Sequence, residues 1–489
     1  MAWACAVAAI ALVSVGLVLL PADGPVTTRA VDAEGVPLLV VTGAEPPEAG
    51  VVVAHGFAGS ARLMAGFADT LARRGYAVAI PDLTGHGTNP RRLRLDDDSV
   101  LARDLDASVR YLRATFGLPE DRIALIGHSM GAGAVTRYAV GHPRVPATVA
   151  ISLGTTEHLA LSPSQPRNLL LIVGGLEFAG FRTAAVQALG DPDAGPGETI
   201  GSVDAGTARR AVVVPGREHI SVLFADETHG QAAQWIDAAL GRPSTSVDPR
   251  ARDRLLPAGL LLVGGFIGFV PVTALLLRRR PRTAAPAPGW RWIVAGALAA
   301  ATVAGLGTQF LPTVALPLAV GGYAAGFFAL FGVAFLVVAK AWRYRPTRPT
   351  TPTILAAVGL TAYAAMSIAI PVHLGFTNAV PVGTRWWLLP VVALAAFVLL
   401  LGVELVAAGR AAVRGALLAV TAMSLGAAAV LGTAPGFVLL VLPLLVLLFA
   451  WHLGWSAVLT GRAAAPWLRA LPGALLVAWP VATTLPLVA

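Results

Sequence analysis

The sequence predicts two fold classes in one chain: a doubly wound, mostly parallel α/β domain, then an all-α domain of several transmembrane helices. Three observations predict it. Hydrophobic residues make up 56% of the 489 residues and charged residues only 13%, which is a membrane composition. Acidic residues are concentrated in the first half: residues 21–250 hold 25 Asp plus Glu against 20 Arg, whereas residues 251–489 hold 2 acids against 16 Arg plus Lys. Between residues 30 and 240, short Val/Ile/Leu runs alternate with stretches of helical periodicity, the pattern of βαβ units covered on both faces.

Residues 2–20 form an uncharged apolar run of about the 20 residues that a spanning helix needs. No Arg or Lys precedes Arg29, and Pro21-Ala22-Asp23-Gly24 is a poor cleavage site, so an uncleaved anchor is expected over residues 1–21. Cys5, the only cysteine, lies early in this run, which excludes an intramolecular disulfide and places it wrongly for a lipoprotein signal. The α/β domain is expected over residues 30–242, with buried strands at 50–54, 77–81, 122–126, 147–152, 169–173 and 210–214. Helices are expected at Ser60–Arg74, Asp98–Phe116, Met130–Val140 and His229–Leu240, the second opened by an acidic first turn. Residues 243–254, beginning Pro243-Ser244-Thr245-Ser246, read as a linker.

From 255 to 489 the sequence predicts eight further apolar segments, near 255–277, 290–312, 314–340, 352–372, 386–408, 412–433, 436–458 and 467–488. Alternate loops carry the charge: Arg278, Arg279, Arg280 and Arg282; Lys340, Arg343, Arg345 and Arg348; Arg410 and Arg414; Arg462 and Arg469. The intervening loops hold only Arg385. The positive-inside rule makes the basic loops cytoplasmic and the α/β domain extracytoplasmic, in the cell membrane, and an N-terminal anchor running outward gives the same answer. Positive charge spent on topology leaves no footprint for nucleic acid. Within the membrane Glu404, His452 and His373 are the scarce ionisable groups; a structural role is expected for them, with Glu404 reaching toward Arg410.

Gly127-His128-Ser129-Met130-Gly131 follows the apolar run Ile123-Ala124-Leu125-Ile126. A Gly-x-Ser-x-Gly frame directly after a strand puts its serine at the tip of a sharp strand-to-helix turn, which makes Ser129 the candidate nucleophile. Such a serine needs a base, an acid to orient that base, and two N–H groups for the developing oxyanion. His219 follows the last apolar run, Ala211-Val212-Val213-Val214, at the strand end where catalytic groups gather in parallel sheets, and is the candidate base. Glu177, four residues past the run ending at Val173, is the candidate acid, with Asp191, Asp193 and Asp204 as alternatives downstream. His55-Gly56-Phe57-Ala58-Gly59-Ser60 ends another strand; there the backbone N–H groups of Phe57 and Met130 are the candidate oxyanion donors, and His55 is structural. Asp82-Leu83-Thr84-Gly85-His86-Gly87 is a third loop at this edge, in which His86 is expected to bond locally.

Together these residues resemble the α/β-hydrolase superfamily over roughly residues 36–240, with the order Ser, acid, His. The resemblance implies a serine hydrolase that passes through an acyl-enzyme and cleaves an ester, thioester or amide; the outward location alone suggests a small-molecule, lipid-borne or wall-borne acyl substrate, and no cofactor is expected. An epoxide hydrolase or dehalogenase would carry aspartate at position 129. Only about 16 residues separate the runs at 147–152 and 169–173, where larger members carry a lid, so an open site is expected, as in esterase-like and dienelactone-hydrolase-like members. The competing expectation is a transporter or membrane scaffold whose α/β domain binds without catalysing. No Cys pair or His-Glu-x-x-His supports a metal, and no Gly-x-x-x-x-Gly-Lys loop supports a nucleotide.

Overall fold

The computed structural model describes residues 1–20, 26–191, 193–244, 248–278, 287–341 and 349–489. Part of the expected linker, the residues of the 21–25 cleavage-site argument, and Arg279, Arg280, Arg282, Arg343, Arg345 and Arg348 lie outside them. The chain forms two compact units: one of Met1–Leu19, Pro257–His373 and Ala379–Leu485, the other of Leu20–Leu256, Leu374–Asn378 and Pro486–Ala489.

The second unit is built on a nine-stranded sheet. Its strands are β1 (Thr27–Ala33), β2 (Val36–Thr42), β3 (Ala49–Ala54), β4 (Tyr76–Pro81), β5 (Ile123–His128), β6 (Thr148–Ile151), β7 (Leu169–Gly174), β8 (Thr199–Ile200) and β9 (Arg209–Val214). They lie in the order β1-β2-β4-β3-β5-β6-β7-β9-β8. The six from β4 to β9 are parallel, and antiparallel strands close both edges. Those six are the strands expected from the apolar runs. The edge strands β1, β2 and β8 are additional; β1 is largely exposed and carries no buried run to announce it.

After the membrane helix α1 (Ala2–Leu19), the helices of this unit are α2 (Ala65–Ala72), α3 (Ser99–Phe116), α4 (Met130–Gly141), α5 (Ala179–Gln187) and α6 (Asp226–Ala239). Successive strand residues face opposite ways, so one core joins Val51, Val53, Val78, Ile126 and Ile172 to Phe67, Leu71 and Trp235 of α2 and α6. Val52, Ala54, Ala79 and Leu125 meet Leu105, Leu112 and Val135 of α3 and α4 on the other face. The acids expected in the first turn of α3 precede it instead: Asp97 Oδ1 accepts the N–H of Ser99 (3.0 Å) in a local turn that leads into the helix.

The first unit holds α1 together with α7 (Leu255–Leu276), α8 (Trp290–Gly307), α9 (Gly321–Ala341), α10 (Thr351–Gly375), α11 (Arg385–Ala407), α12 (Ala411–Val430), α13 (Val438–Gly461) and α14 (Pro466–Thr484), whose outermost turns at α7 and α10 fall to the other unit. Among the described residues, eight helices, α1 and α7 through α13, are long and apolar enough to cross a membrane. The last helix, α14, is less apolar and contains Pro472 and Pro480. Helices α9 and α11 pack at glycines: a Cβ on Gly332 would stand 2.4 Å from the backbone nitrogen of Leu399, and one on Gly402 2.8 Å from the carbonyl of Gly332.

Two cations read as loop charges are buried inside this unit. Arg414 of α12 and Arg469 of α14 converge on Glu404 of α11, with Nε–carboxylate distances of 2.7 and 3.2 Å. Ser456 and His452 of α13 face the same carboxylate, and both arginines donate to Thr460 Oγ1. Glu404 therefore does not reach for Arg410, whose guanidinium caps the α11 carbonyls of Val406 and Ala407. The reason is dielectric: a carboxylate inside a helix bundle gains more from two buried guanidiniums than from one at the bundle's end.

Candidate active site

All the candidate side chains stand at the carboxyl ends of neighbouring parallel strands. Ser129 follows β5 and is the residue before α4, with φ 53° and ψ −114°, a left-handed conformation for a non-glycine residue. The flanking glycines allow that turn. A Cβ on Gly127 would lie 2.2 Å from the carbonyl oxygen of Gly131, and one on Gly131 would lie 2.6 Å from those of Ala54 and His55. The end of β3 thus presses on the elbow; a Cβ on Gly56 would be 3.1 Å from Ser129 Cβ. Phe57 is the next residue after Gly56, and Met130 opens α4.

The sheet brings Ser129, His219 and Glu177 into one chain of hydrogen bonds. His219 Nε2 lies 3.0 Å from Ser129 Oγ, and Nδ1 lies 2.8 Å from Glu177 Oε2. A carboxylate only accepts, so Nδ1 carries the proton and Nε2 receives the serine hydroxyl, the tautomer a general base requires. Asp191, Asp193 and Asp204, the alternatives to Glu177, do not take this place. The Glu177 side chain is fully buried, and its second oxygen is also occupied: Oε1 accepts from Ser152 Oγ (2.8 Å) and from the N–H of Gly174 (2.6 Å). Arg182 donates to the carbonyls of Gly175 and Glu177, and Leu176 N–H donates to Arg217 O (2.9 Å), tying the acid loop to the histidine loop.

Two residues beyond the sequence reading belong to this framework. Ser152, directly after β6, positions Glu177 as described. His128, the variable residue before the nucleophile, donates from Nε2 to the backbone carbonyl of His219 (2.9 Å). Its ring is buried, and burial, reinforced by the neighbouring His219, pushes its pKa down to about 3, so it is a neutral donor. No sequence signal marks either residue as functional.

The remaining loops serve as scaffold. His55 donates from Nδ1 to Gly56 O (2.8 Å) and accepts the N–H of Leu83 at Nε2 (3.1 Å), bracing one loop against the next. Asp82 accepts from the N–H groups of Ala61 and Thr88 (both 2.7 Å). His86 bonds locally to Thr84 O (3.0 Å), with its ring edge-on to Phe57 at 5.8 Å. Between β6 and β7 no helix covers the site among the described residues. Nor do three His, Cys, Asp or Glu side chains gather there as a metal set.

Residues 45–178 match the Hydrolase_4 family, described as serine aminopeptidase, S33. Epoxide hydrolase A of Mycobacterium tuberculosis is 32% identical over 145 residues, 29% of this chain and 43% of that protein. A thermostable monoacylglycerol lipase of a Bacillus species is 36% identical over 119 residues, 23% of this chain and 46% of that enzyme. The chain thus spans less than half the length of these relatives. Among solved structures, a dienelactone hydrolase of Anabaena variabilis is similar with 20% identity and a TM-score of 0.33, over 43% of this chain and 97% of that one. The strand order, the elbow between β5 and α4 and the matched stretch agree: the α/β domain of this chain has the α/β-hydrolase fold.

Proposed function

We propose that the α/β domain is a serine hydrolase of carboxylic esters, held by its membrane helices with the site outside the cytoplasm. The observation that carries this reading is the bonded series Ser129–His219–Glu177 with the correct tautomer at His219. Ser129 Oγ attacks the acyl carbon while its proton passes to His219 Nε2. The carbonyl becomes an oxyanion facing the amides of Phe57 and Met130, and Glu177 stabilises the imidazolium. Collapse breaks the bond to the leaving oxygen, which takes the proton from Nε2, and leaves an acyl-serine. Water, deprotonated by the same nitrogen, then attacks the acyl-serine, and the acid departs as Ser129 Oγ regains the proton. A hydroxyl nucleophile favours acyl transfer over epoxide opening, which needs a carboxylate at position 129. Acyl esters are favoured over peptides because half-buried apolar side chains adjoin the candidate residues, Met130 next to Ser129 and Phe181 with its ring 4.8 Å from that of His219.

A fluorophosphonate probe tests the reading on the full-length protein in detergent. Wild type should become covalently labelled, and Ser129→Ala should not. Folded wild type that resists labelling overturns the proposal and favours a non-catalytic binding domain.

A further inference from the structure

Large apolar side chains are rarely exposed on the α/β domain. Between residues 26 and 244 the exposed ones are Leu95, Leu176, Phe178 and Ile220, at 67%, 69%, 61% and 45% of full exposure. A single exposed leucine needs no explanation, because apolar atoms cover much of any protein surface. Three of these four, however, flank the two side chains that complete the site: Leu176 and Phe178 bracket Glu177, and Ile220 follows His219. The local backbone explains the placement. Leu176 N–H is fixed to Arg217 O and Glu177 N–H to Gly174 O (3.1 Å), so the carboxylate turns inward to His219 while its neighbours turn to solvent. One turn further on, Phe181 lies with its ring 4.8 Å from that of His219. The two loops that carry Glu177 and His219 thus hold three of the four exposed large apolar side chains of the domain, beside a phenylalanine packed on the base.

We infer that Leu176, Phe178 and Ile220 receive the hydrocarbon chain of the substrate's leaving group, so that the substrate class is an ester of a medium- or long-chain alcohol. The inference rests on the hydrolase reading and adds a direction to it. In the tetrahedral intermediate the oxyanion faces Phe57 and Met130, while the departing oxygen must lie beside His219 Nε2 to collect its proton. The group attached to that oxygen leaves along the side of His219, whose loop carries Ile220 and is tied to the Leu176–Phe178 loop by the bond from Leu176 N–H to Arg217 O. Burying each successive methylene there removes apolar surface from water, and the exposure of these side chains makes the gain per methylene smaller than in a closed pocket.

The test uses full-length protein with two ester series kept below their aggregation limits: acetates of alcohols from ethyl to octyl, and p-nitrophenyl esters from acetate to octanoate. For wild type, kcat/KM should rise about two- to threefold per methylene along the alcohol series, the increment that partial burial of a methylene supports. In the triple variant Leu176→Ser, Phe178→Ser, Ile220→Ser that rise should flatten, while fluorophosphonate labelling of Ser129 persists and reports that the domain is folded. The p-nitrophenyl series should respond alike in both proteins. An alcohol-length dependence that survives in the variant overturns the inference, as does a variant effect confined to the acyl series. Absence of labelling in wild type would instead remove the hydrolase reading itself, so the two failures are distinct.

Discussion

His219 is held at two atoms, and each hold has its own consequence. Glu177 holds Nδ1. In Glu177→Gln the amide nitrogen can face Nδ1 and turn the imidazole into the wrong tautomer, so kcat should fall about 10⁴-fold with KM nearly unchanged, measured by steady-state ester hydrolysis. His128 holds the backbone carbonyl, which makes it a positioning residue. His128→Leu should lower kcat about 10- to 100-fold and leave KM in place, with His128→Gln recovering most of the loss; equal kcat in all three proteins would reduce His128 to packing. The same ring sets a pH dependence. Burial lowers the pKa of His128 to about 3 and that of His229 to about 4, from an ordinary 6.5. The unfolded chain therefore binds protons below pH 6.5 that the folded domain refuses. Stability from both rings is complete above that pH and is lost as pH falls toward 3. The melting temperature should accordingly be flat above pH 7 and decline from 6.5 downward, less steeply in His128→Gln. Of this candidate site, Ser129, Glu177 and His219 are legible in the sequence because they follow apolar strand runs by three, four and five residues. His128 and Ser152 are not, because their bonds reach 91 and 25 residues along the chain, a relation that only the folded sheet creates.

At the scale of elements, buried strands are legible and edges are not. The six parallel strands are continuous Val/Ile/Leu/Ala runs because both faces are covered. The first strand, Thr27–Ala33, has one partner and an exposed polar pattern that reads as loop. In the membrane half the helices are legible from length and apolarity, whereas the meeting of Glu404, Arg414 and Arg469 from three separate helices is a property of packing alone. That meeting makes a prediction. Glu404→Gln leaves two buried guanidiniums without a counter-charge and should destabilise the bundle by about 3–5 kcal/mol. Trp455, buried on α13 and stacked on Phe269 at 4.2 Å, reports it through fluorescence in thermal melts. Replacing all three together, as Glu404→Leu, Arg414→Met and Arg469→Met, should restore most of the lost stability, since a well-packed apolar set removes the desolvation penalty along with the pair. A triple variant weaker than Glu404→Gln would mean that the charges themselves are required.

For the whole molecule, the buried pairs alter the basis of the orientation argument without altering its parity. Arg414 and Arg469 are engaged with Glu404 and no longer count as loop charges. The described cations that remain beyond α7 are Arg278 just past α7, Arg291 in the first turn of α8, Lys340 at the end of α9, Arg410 between α11 and α12 and Arg462 at the end of α13, with Arg385 at the start of α11 buried. Every second helix from α7 onward therefore still ends at a cation. If each helix crosses once, those ends share one side, which the positive-inside rule makes the cytoplasm, and the domain preceding α7 lies on the other. The single cysteine makes this measurable. In a Cys5→Ser background, Asp204→Cys sits on an exposed turn of the α/β domain, and Thr350→Cys is exposed just before α10, on the cation-bearing side. A membrane-impermeant maleimide applied to intact cells should label Asp204→Cys at once and Thr350→Cys only after the membrane is permeabilised. The reverse pattern would put the candidate serine in the cytoplasm, where its esters would have to come from within the cell.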